Sequence, residues 1–218
     1  MVHTIIHGTK DIVIKLSRVN INHQRSWWLV TGNVVAFYPN IPLQRYMDIV
    51  YQIYEEYLWQ TMDPCPEIMK TLLKVFKQCL YIGNTQLMCK FQNQFYEQLQ
   101  GLVIGVADSP DMANLYRWFF ETEAEIDNNS NIPFYGYYID DCLAIIYAES
   151  AEQAVQYMSN KIKFDNCTIL WEVSEGQAFL DMFLYKDLDG KLQYKPYQKA
   201  RNHKERIPWI SHHPLNVK

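Results

Sequence analysis

Two adjacent aspartates, Asp140 and Asp141, stand between two runs of apolar and aromatic residues, 134–139 and 142–146. Runs of this kind are typical of β-strands, so the segment predicts a β-hairpin with the two acids at its turn. Asp-Asp is an unusual turn sequence, because one of the two turn positions prefers Gly and the two charges repel each other. Two interpretations stay open on these residues alone. The acids are either solvated turn residues or ligands of a hard divalent cation such as Mg²⁺.

Length and composition predict one large folded domain, or one domain and part of a second. The chain has 218 residues, of which 49% are hydrophobic, and a net charge of −4. No run approaches the roughly 18 apolar residues of a membrane span, and the N-terminus lacks the order of a signal peptide. Five scattered cysteines without a CxxC pair indicate free thiols, and the few histidines argue against a histidine metal site. We expect a soluble, intracellular protein of the cytoplasm or nucleus with no membrane partner.

Charge is distributed unevenly along the chain. Residues 1–25 hold four basic residues against one acidic residue, and residues 186–218 hold eight against three. Residues 108–152 hold ten acidic residues and one basic residue. Basic ends around an acidic centre suit a chain that holds a polyanion at its ends and cations at its middle, although a solvated surface would also allow this pattern. We expect residues 186–218 to supply most contacts to nucleic-acid phosphates.

The hydrophobic pattern predicts strands mixed with helices and hairpins. Before the hairpin, it predicts a buried strand at 26–38, helices at 40–60, 67–80 and 109–125, and a two-stranded ribbon at 86–100. After the hairpin, it predicts a helix at 150–162 and strands at 168–173, 177–186 and 192–196. This order predicts an α+β fold in which an antiparallel sheet is backed by helices, with one sheet face open to a ligand.

Several of these segments resemble the motifs of one family. "YYIDD" (137–141) resembles the catalytic turn of reverse transcriptases, and "TGNVVAFYPNIP" (31–42) resembles their first catalytic motif. "QGLVIGVADSPDMANLYRWFFE" (100–121) is similar to the motif that positions template and nucleotide, and "GQAFLDMFLYKD" (176–187) to a later strand motif. The tail 194–218 looks like the segment that follows the palm in Penelope-like and related retroelement enzymes. The motifs occur in the family's order over nearly the whole chain.

The resemblance implies the palm of a right-hand polymerase, with a ferredoxin-like core and part of the fingers. Residues 1–25 would be a lead-in or residual fingers segment and residues 26–185 the palm. Residues 186–218 would be a basic extension towards an absent thumb. The missing fingers and thumb would belong to a longer polypeptide, and apolar surface left exposed without a thumb would allow a homodimer.

The implied activity is that of an RNA-directed DNA polymerase, which uses two Mg²⁺ ions, or Mn²⁺, to join deoxynucleotides to a template-bound primer. The implied catalytic and metal-binding residues are Asn33, Asp140 and Asp141, with Asp140 as the main ligand of the pair. The implied nucleotide- or template-binding residues are Phe37, Tyr38, Gln100 and Gly101. The implied primer-supporting residues are Phe179 and Leu180.

One substitution departs from the family pattern. Asn33 stands where the first motif carries its catalytic aspartate, so one of three metal-binding charges is missing. Metal-ion stabilisation of a transition state is worth several kcal/mol, so this loss predicts a rate lower by roughly a thousandfold or more. The chain is expected to be inactive as it stands. The alternative is a degenerate, non-catalytic module that binds nucleic acid or protein.

Overall fold

The structure, a computed structural model, describes residues 4–61, 66–85, 87–105, 108–126 and 129–198. The helices are α1 Thr9–Ser17, α2 Phe37–Asn40, α3 Leu43–Thr61, α4 Pro66–Thr85, α5 Ser109–Glu123 and α6 Ala151–Lys161. The strands are β1 Trp27–Val34, β2 Met88–Phe91, β3 Gln94–Glu97, β4 Phe134–Tyr138, β5 Asp141–Tyr147, β6 Ile169–Val173, β7 Gly176–Phe179, β8 Met182–Lys186 and β9 Leu192–Pro196. No helix within these ranges is long and apolar enough to cross a membrane.

The main sheet has four strands in the order β4-β5-β1-β6. Each neighbouring pair is antiparallel, and β1 lies inside the sheet with β5 on one side and β6 on the other. Its aromatic and β-branched residues suit this central position, because such side chains pack well on a pleated surface. The predicted α+β class, with an antiparallel sheet backed by helices, is confirmed.

One face of this sheet carries the larger hydrophobic core. Successive side chains of a strand point to opposite faces, so alternate residues such as Val30 and Val34 of β1 share this face with Ala144 of β5. Buried residues of three helices pack against them, among them Tyr46 and Ile49 of α3, Ala113 and Tyr116 of α5, and Ala154 and Met158 of α6. These contacts fix the helices behind the sheet.

The opposite face is covered over most of its length, which corrects the expectation of an open face. Leu29, Leu143 and Ile145 point to this side and pack with Ile12 of α1 and Leu184 of β8. Helix α1, which the sequence analysis did not predict, and the three-stranded sheet β7-β8-β9 supply the apolar residues that make the cover. The face stays open near the C-terminal end of β1 and along β6, where Leu170 and Glu172 are exposed.

Two predicted strands end earlier than expected. The strand at 26–38 stops at Val34, because Ala36 takes a left-handed backbone with φ of +44° and the short helix α2 follows. Helix α3 therefore begins at Leu43 instead of residue 40. The strand at 177–186 is a hairpin formed by β7 and β8, because Leu180 has φ of +52° and the chain reverses there.

Other predicted elements are found close to their expected places. The ribbon at 86–100 is the antiparallel pair β2 and β3, and Ser150 caps α6 by accepting a 3.3 Å hydrogen bond from the Gln153 backbone. The last part of the basic extension, 199–218, lies outside the described residues. The division at 1–25, 26–185 and 186–218 stays a prediction, although α1 packs onto the same core as the strands.

Candidate active site

Asp140 lies in the tight turn that joins β4 to β5, whereas Asp141, also predicted at the turn, is the first residue of β5. Tyr138 pairs with Asp141, which leaves Ile139 and Asp140 as the two turn residues. Ile139 has φ of +55°, a left-handed conformation that is an outlier for a β-branched residue. Such a conformation costs about 1–3 kcal/mol and persists only where the surrounding structure imposes it. The position of the carboxylates therefore depends on contacts around the turn.

The strand register places Asn33 beside this turn. Asn33 of β1 is paired with Asp141 of β5, and its Nδ2 donates a 3.1 Å hydrogen bond to Asp141 Oδ1. The next residue, Val34, donates its backbone N–H to the Asp140 carbonyl at 2.9 Å. The structure thus brings together all three residues predicted as catalytic. The Asn33 amide thus donates to a carboxylate oxygen that could otherwise face a cation.

These three residues line a cleft of about 830 Å³ at the uncovered end of the sheet. Asn33 and Asp141 point to the face that α1 and the β7-β8-β9 sheet cover elsewhere, and the cover ends before it reaches them. Phe179 and Leu180, predicted to support a primer, line the same cleft. Phe179 is only 3% exposed and mainly packs in the core, whereas Leu180 is half-buried at the β7-β8 turn.

Tyr38 and Gly101 do not line the cleft, but they contact each other's segments beyond the end of β1. Partial burial, and then the negative charges of Asp140 and Asp111, raise the pKa of Tyr38 above its ordinary value. The Tyr38 carbonyl accepts a 2.9 Å hydrogen bond from the Leu102 backbone. Gly101, the preceding residue, has φ of +77°, and a Cβ there would lie 2.6 Å from the Cα of Pro39. The structure therefore joins two motifs that are far apart in sequence.

Phe37 and Gln100 differ from these neighbours in their surroundings. Phe37 is 3% exposed and packs against Phe164 with ring centroids 6.2 Å apart, so a nucleotide could not contact it without repacking the core. Gln100 is exposed, and its carbonyl accepts a 2.9 Å hydrogen bond from Gln98 Nε2. Like Tyr38 and Gly101, neither residue lines the cleft at Asp140 and Asp141.

The donor set suits one hard cation better than two. Mg²⁺ in proteins usually keeps several waters and takes one or two carboxylates, which Asp140 and Asp141 could supply. Asn33 offers a neutral amide whose nitrogen already faces Asp141. No group of three or more His, Cys, Asp and Glu side chains able to hold a metal ion occurs in the part of the chain that the structure describes. The residues fit one cation and lack one charge of the implied two-ion site.

A buried arginine behind the turn was not predicted as part of the site. Arg117 of α5 is 0% exposed, and its Nη1 donates a 3.0 Å hydrogen bond to the Ile139 carbonyl. Its Nε donates to Glu121 Oε1 at 2.7 Å, so the charge is paired inside the protein. The sequence did carry a signal, since Arg117 is the one basic residue in the acidic segment 108–152.

The close approach of Gly101 to residues 38–39 gives a first prediction. Gly101→Ala is expected to lower the free energy of unfolding by about 2–4 kcal/mol, because the new Cβ adds overlap with Pro39 to the strain of a left-handed backbone. Gly105→Ala is the matched control, since Gly105 has φ of +100° but no atom within 4 Å of an added Cβ. Urea unfolding of both variants measures the difference, and equal losses would contradict a packing role for Gly101.

The fold, as distinct from the site, resembles that of solved reverse-transcriptase-like structures. No protein-family model matches the sequence, and no curated protein matches it. Solved structures with a similar fold do match, among them structures of telomerase, a reverse transcriptase.

Three of these structures cover 88% of this chain. Apo telomerase from Candida tropicalis matches with a TM-score of 0.60 at 9% identity, over 37% of its own chain. The same telomerase truncated from its C-terminal domain matches with a TM-score of 0.60 at 10% identity, over 41% of that chain. Telomerase from Candida albicans in complex with a fragment of telomeric RNA matches with a TM-score of 0.56 at 9% identity, over 34% of that chain. At these identities the likeness shows the fold, and this chain spans about two fifths or less of each telomerase chain.

Proposed function

We propose that this chain is the palm of an RNA-directed DNA polymerase in which Asn33 suppresses nucleotidyl transfer. The observation that carries the proposal is the convergence of Asn33, Asp140 and Asp141 in one cleft through the pairing of β1 with β5. A plain hairpin turn would not require the neighbouring strand to end in a third metal-ligand position. The proposed ligands of the cleft are a template-bound primer and a deoxynucleotide with Mg²⁺ or Mn²⁺.

The residues of the cleft divide into separate roles under this proposal. Asp140 and Asp141 would hold the cation, which when bound can activate the attacking hydroxyl and stabilise the leaving pyrophosphate. Tyr38, by its place in the first catalytic motif, would lie beside the sugar of the nucleotide, next to the cleft and not in its lining. Leu180, at the β7-β8 turn, would contact the primer end. Asn33 would leave the site one charge short.

Nucleic-acid binding is supported by the fold and by the charge pattern. One matched telomerase structure contains a fragment of telomeric RNA, and that contact belongs to the Candida albicans protein. For this chain we propose the same class of ligand, with the basic residues of 186–218 contacting phosphates. The homodimer and the fingers and thumb segments of a longer polypeptide stay predictions.

A second candidate function is a non-catalytic binding module. The hydrogen bond from Asn33 Nδ2 to Asp141 Oδ1 favours it, because one carboxylate oxygen then has a protein partner instead of being directed only at a cation. This candidate shares the fold and the nucleic-acid ligand with the first. The two differ in whether the aspartates bind a cation together with a nucleotide.

Titration with Mn²⁺ tests the proposed site in the chain as it stands. We expect one weakly bound Mn²⁺, and tighter binding when a deoxynucleotide is present, because its phosphates complete the coordination shell. Electron paramagnetic resonance of free Mn²⁺ measures the occupancy. Asp140→Asn should abolish the nucleotide-dependent binding, whereas Asp189→Asn, at an exposed turn, should leave it unchanged. Binding that survives Asp140→Asn would favour the non-catalytic module.

A further inference from the structure

Arg117 connects the turn to both of its strands. Its Nη1 donates to the Ile139 carbonyl at 3.0 Å, and its Nη2 donates to Tyr135 Oη of β4 at 2.7 Å and to Cys142 Sγ of β5 at 2.8 Å. Its Nε is held by Glu121 at 2.7 Å. One side chain therefore contacts the strand before the turn, the turn itself and the strand after it.

The guanidinium has little freedom to move. Its central carbon lies 3.9 Å from the centroid of the Tyr137 ring, and the side chain is completely buried. The planar guanidinium presents its donors in a rigid fork, so fixing Nε and Nη2 also fixes the direction of Nη1. Glu121 is itself held by a 2.6 Å hydrogen bond from Tyr135 Oη. The donor that reaches Ile139 is set by the packing of α5 against the sheet.

The backbone at Ile139 is the part of the turn that needs such a contact. Its left-handed conformation is unfavourable for a β-branched residue, and a relaxed turn would rotate the Ile139–Asp140 peptide. The Ile139 carbonyl belongs to that peptide, so its hydrogen bond with Arg117 resists the rotation. On the other side, the Asp140 carbonyl accepts the Val34 N–H at 2.9 Å. Asp140 is thus held between α5 and β1.

We propose that Arg117 is a positioning residue for the aspartates. By holding Ile139 in its left-handed conformation, it directs Asp140 and Asp141 into the cleft and keeps Asp140 on β1. The geometric part of this inference stands on the contacts alone. Its consequence for cation binding rests on the proposed function, so the experiment separates the two.

Amide hydrogen exchange tests the geometric part without any metal. Arg117→Lys keeps the positive charge but loses the planar guanidinium that binds Glu121, Tyr135 and Ile139 at the same time. We expect exchange of the Val34 amide to become about tenfold faster, since a hydrogen bond from a charged group is lost. The Tyr147 amide, which donates to the Asn131 carbonyl at the far end of β5, is the internal reference and should not change. Equal acceleration at both amides would mean general destabilisation and would overturn the proposal.

Ile139→Gly provides the matched control. Glycine adopts a positive φ without strain, so the turn should no longer depend on Arg117. In the Ile139→Gly background, Arg117→Lys is expected to change the Val34 exchange rate less than about twofold. The same tenfold effect in both backgrounds would show that Arg117 does not act through Ile139.

If Arg117→Lys fails to fold, Tyr135→Phe is the alternative variant. It removes one acceptor of Arg117 and should accelerate Val34 exchange about threefold relative to Tyr147. An unchanged ratio would contradict the proposal.

The consequence for cation binding is tested by measuring Mn²⁺ affinity in the Asn33→Asp variant, in which a third carboxylate is present. Adding Arg117→Lys should raise the Mn²⁺ dissociation constant about tenfold or more, because misplaced ligands bind a hard cation poorly. If Asn33→Asp binds no Mn²⁺, the proposed function fails and the exchange rates alone decide the role of Arg117. If Mn²⁺ affinity is unchanged while Val34 exchange is faster, Arg117 holds the turn but does not position the carboxylates, and the proposal is overturned.

Discussion

Asn33→Asp is expected to give this chain Mg²⁺-dependent primer extension at least about a thousandfold faster than the parent. The side chain at position 33 already lies 3.1 Å from Asp141, so an aspartate there would complete a three-carboxylate site without moving β1. Extension of a labelled DNA primer on an RNA template with deoxynucleotides measures the gain. The double variant Asn33→Asp/Asp141→Asn is the matched control. It has the parent's composition with the carboxylate moved across the strand pair, and it should not extend.

The same variant makes a prediction about stability that does not depend on activity. Without Mg²⁺, three converging carboxylates repel, and the variant also loses the 3.1 Å hydrogen bond that Asn33 donates in the parent, so Asn33→Asp should unfold more readily than the parent. With Mg²⁺ at about a hundred times its dissociation constant, binding to the folded state adds about 2.7 kcal/mol. Thermal unfolding with and without Mg²⁺ measures both effects. Stabilisation without extension would mean that the cation site is complete but that the chain does not bind the primer–template well enough to extend it. The absence of both stabilisation and extension would favour the non-catalytic module.

The hairpin and its aspartates could be predicted because the signals are local. Runs of aromatic and apolar residues on both sides of Asp140 and Asp141 predict β4, β5 and a turn between them, although the turn itself is formed by Ile139 and Asp140. The pairing of Asn33 with Asp141 was predicted through the family motif, since no local signal links residues 108 positions apart. Core packing then fixes that register, because a one-residue slip would turn Leu29 and Asn33 to the wrong face of the sheet.

The features that were missed depend on tertiary contacts. The β7-β8 turn is formed by Leu180 and Asp181, and a single Asp among apolar residues was too weak a turn signal to divide the predicted strand. Helix α1 has only nine residues, and short helices of this kind are stabilised mainly by the core they cover. Arg117 lies on a helix where an arginine would ordinarily be placed in solvent. Its burial follows from the positions of Tyr135 and Glu121, which the sequence alone does not bring together.

The ion pair between Arg117 and Glu121 is expected to give the largest stability effects in the molecule. Glu121→Leu should lower the free energy of unfolding by about 3–5 kcal/mol, because it leaves the charge of a completely buried arginine unpaired. Arg117→Met should cost a similar amount, since it leaves a buried carboxylate. Urea unfolding measures each variant, and Glu67→Ala, at an ion pair whose side chains are 75% and 83% exposed, is the control that should stay within about 0.5 kcal/mol of the parent.

The double variant Arg117→Met/Glu121→Leu decides what the pair contributes. It removes both charges, so no uncompensated ion remains, and it should be no less stable than the weaker single variant. If the losses in free energy of unfolding of the two single variants add up in the double variant, the two residues act independently. We do not expect this, because they are in contact at 2.7 Å. We expect the double variant to fold with a loosened turn, since the Ile139 carbonyl then has no donor from α5. The buried ion pair would then contribute little net stability, and its role would be to place Arg117 where it binds the Ile139 carbonyl in the turn.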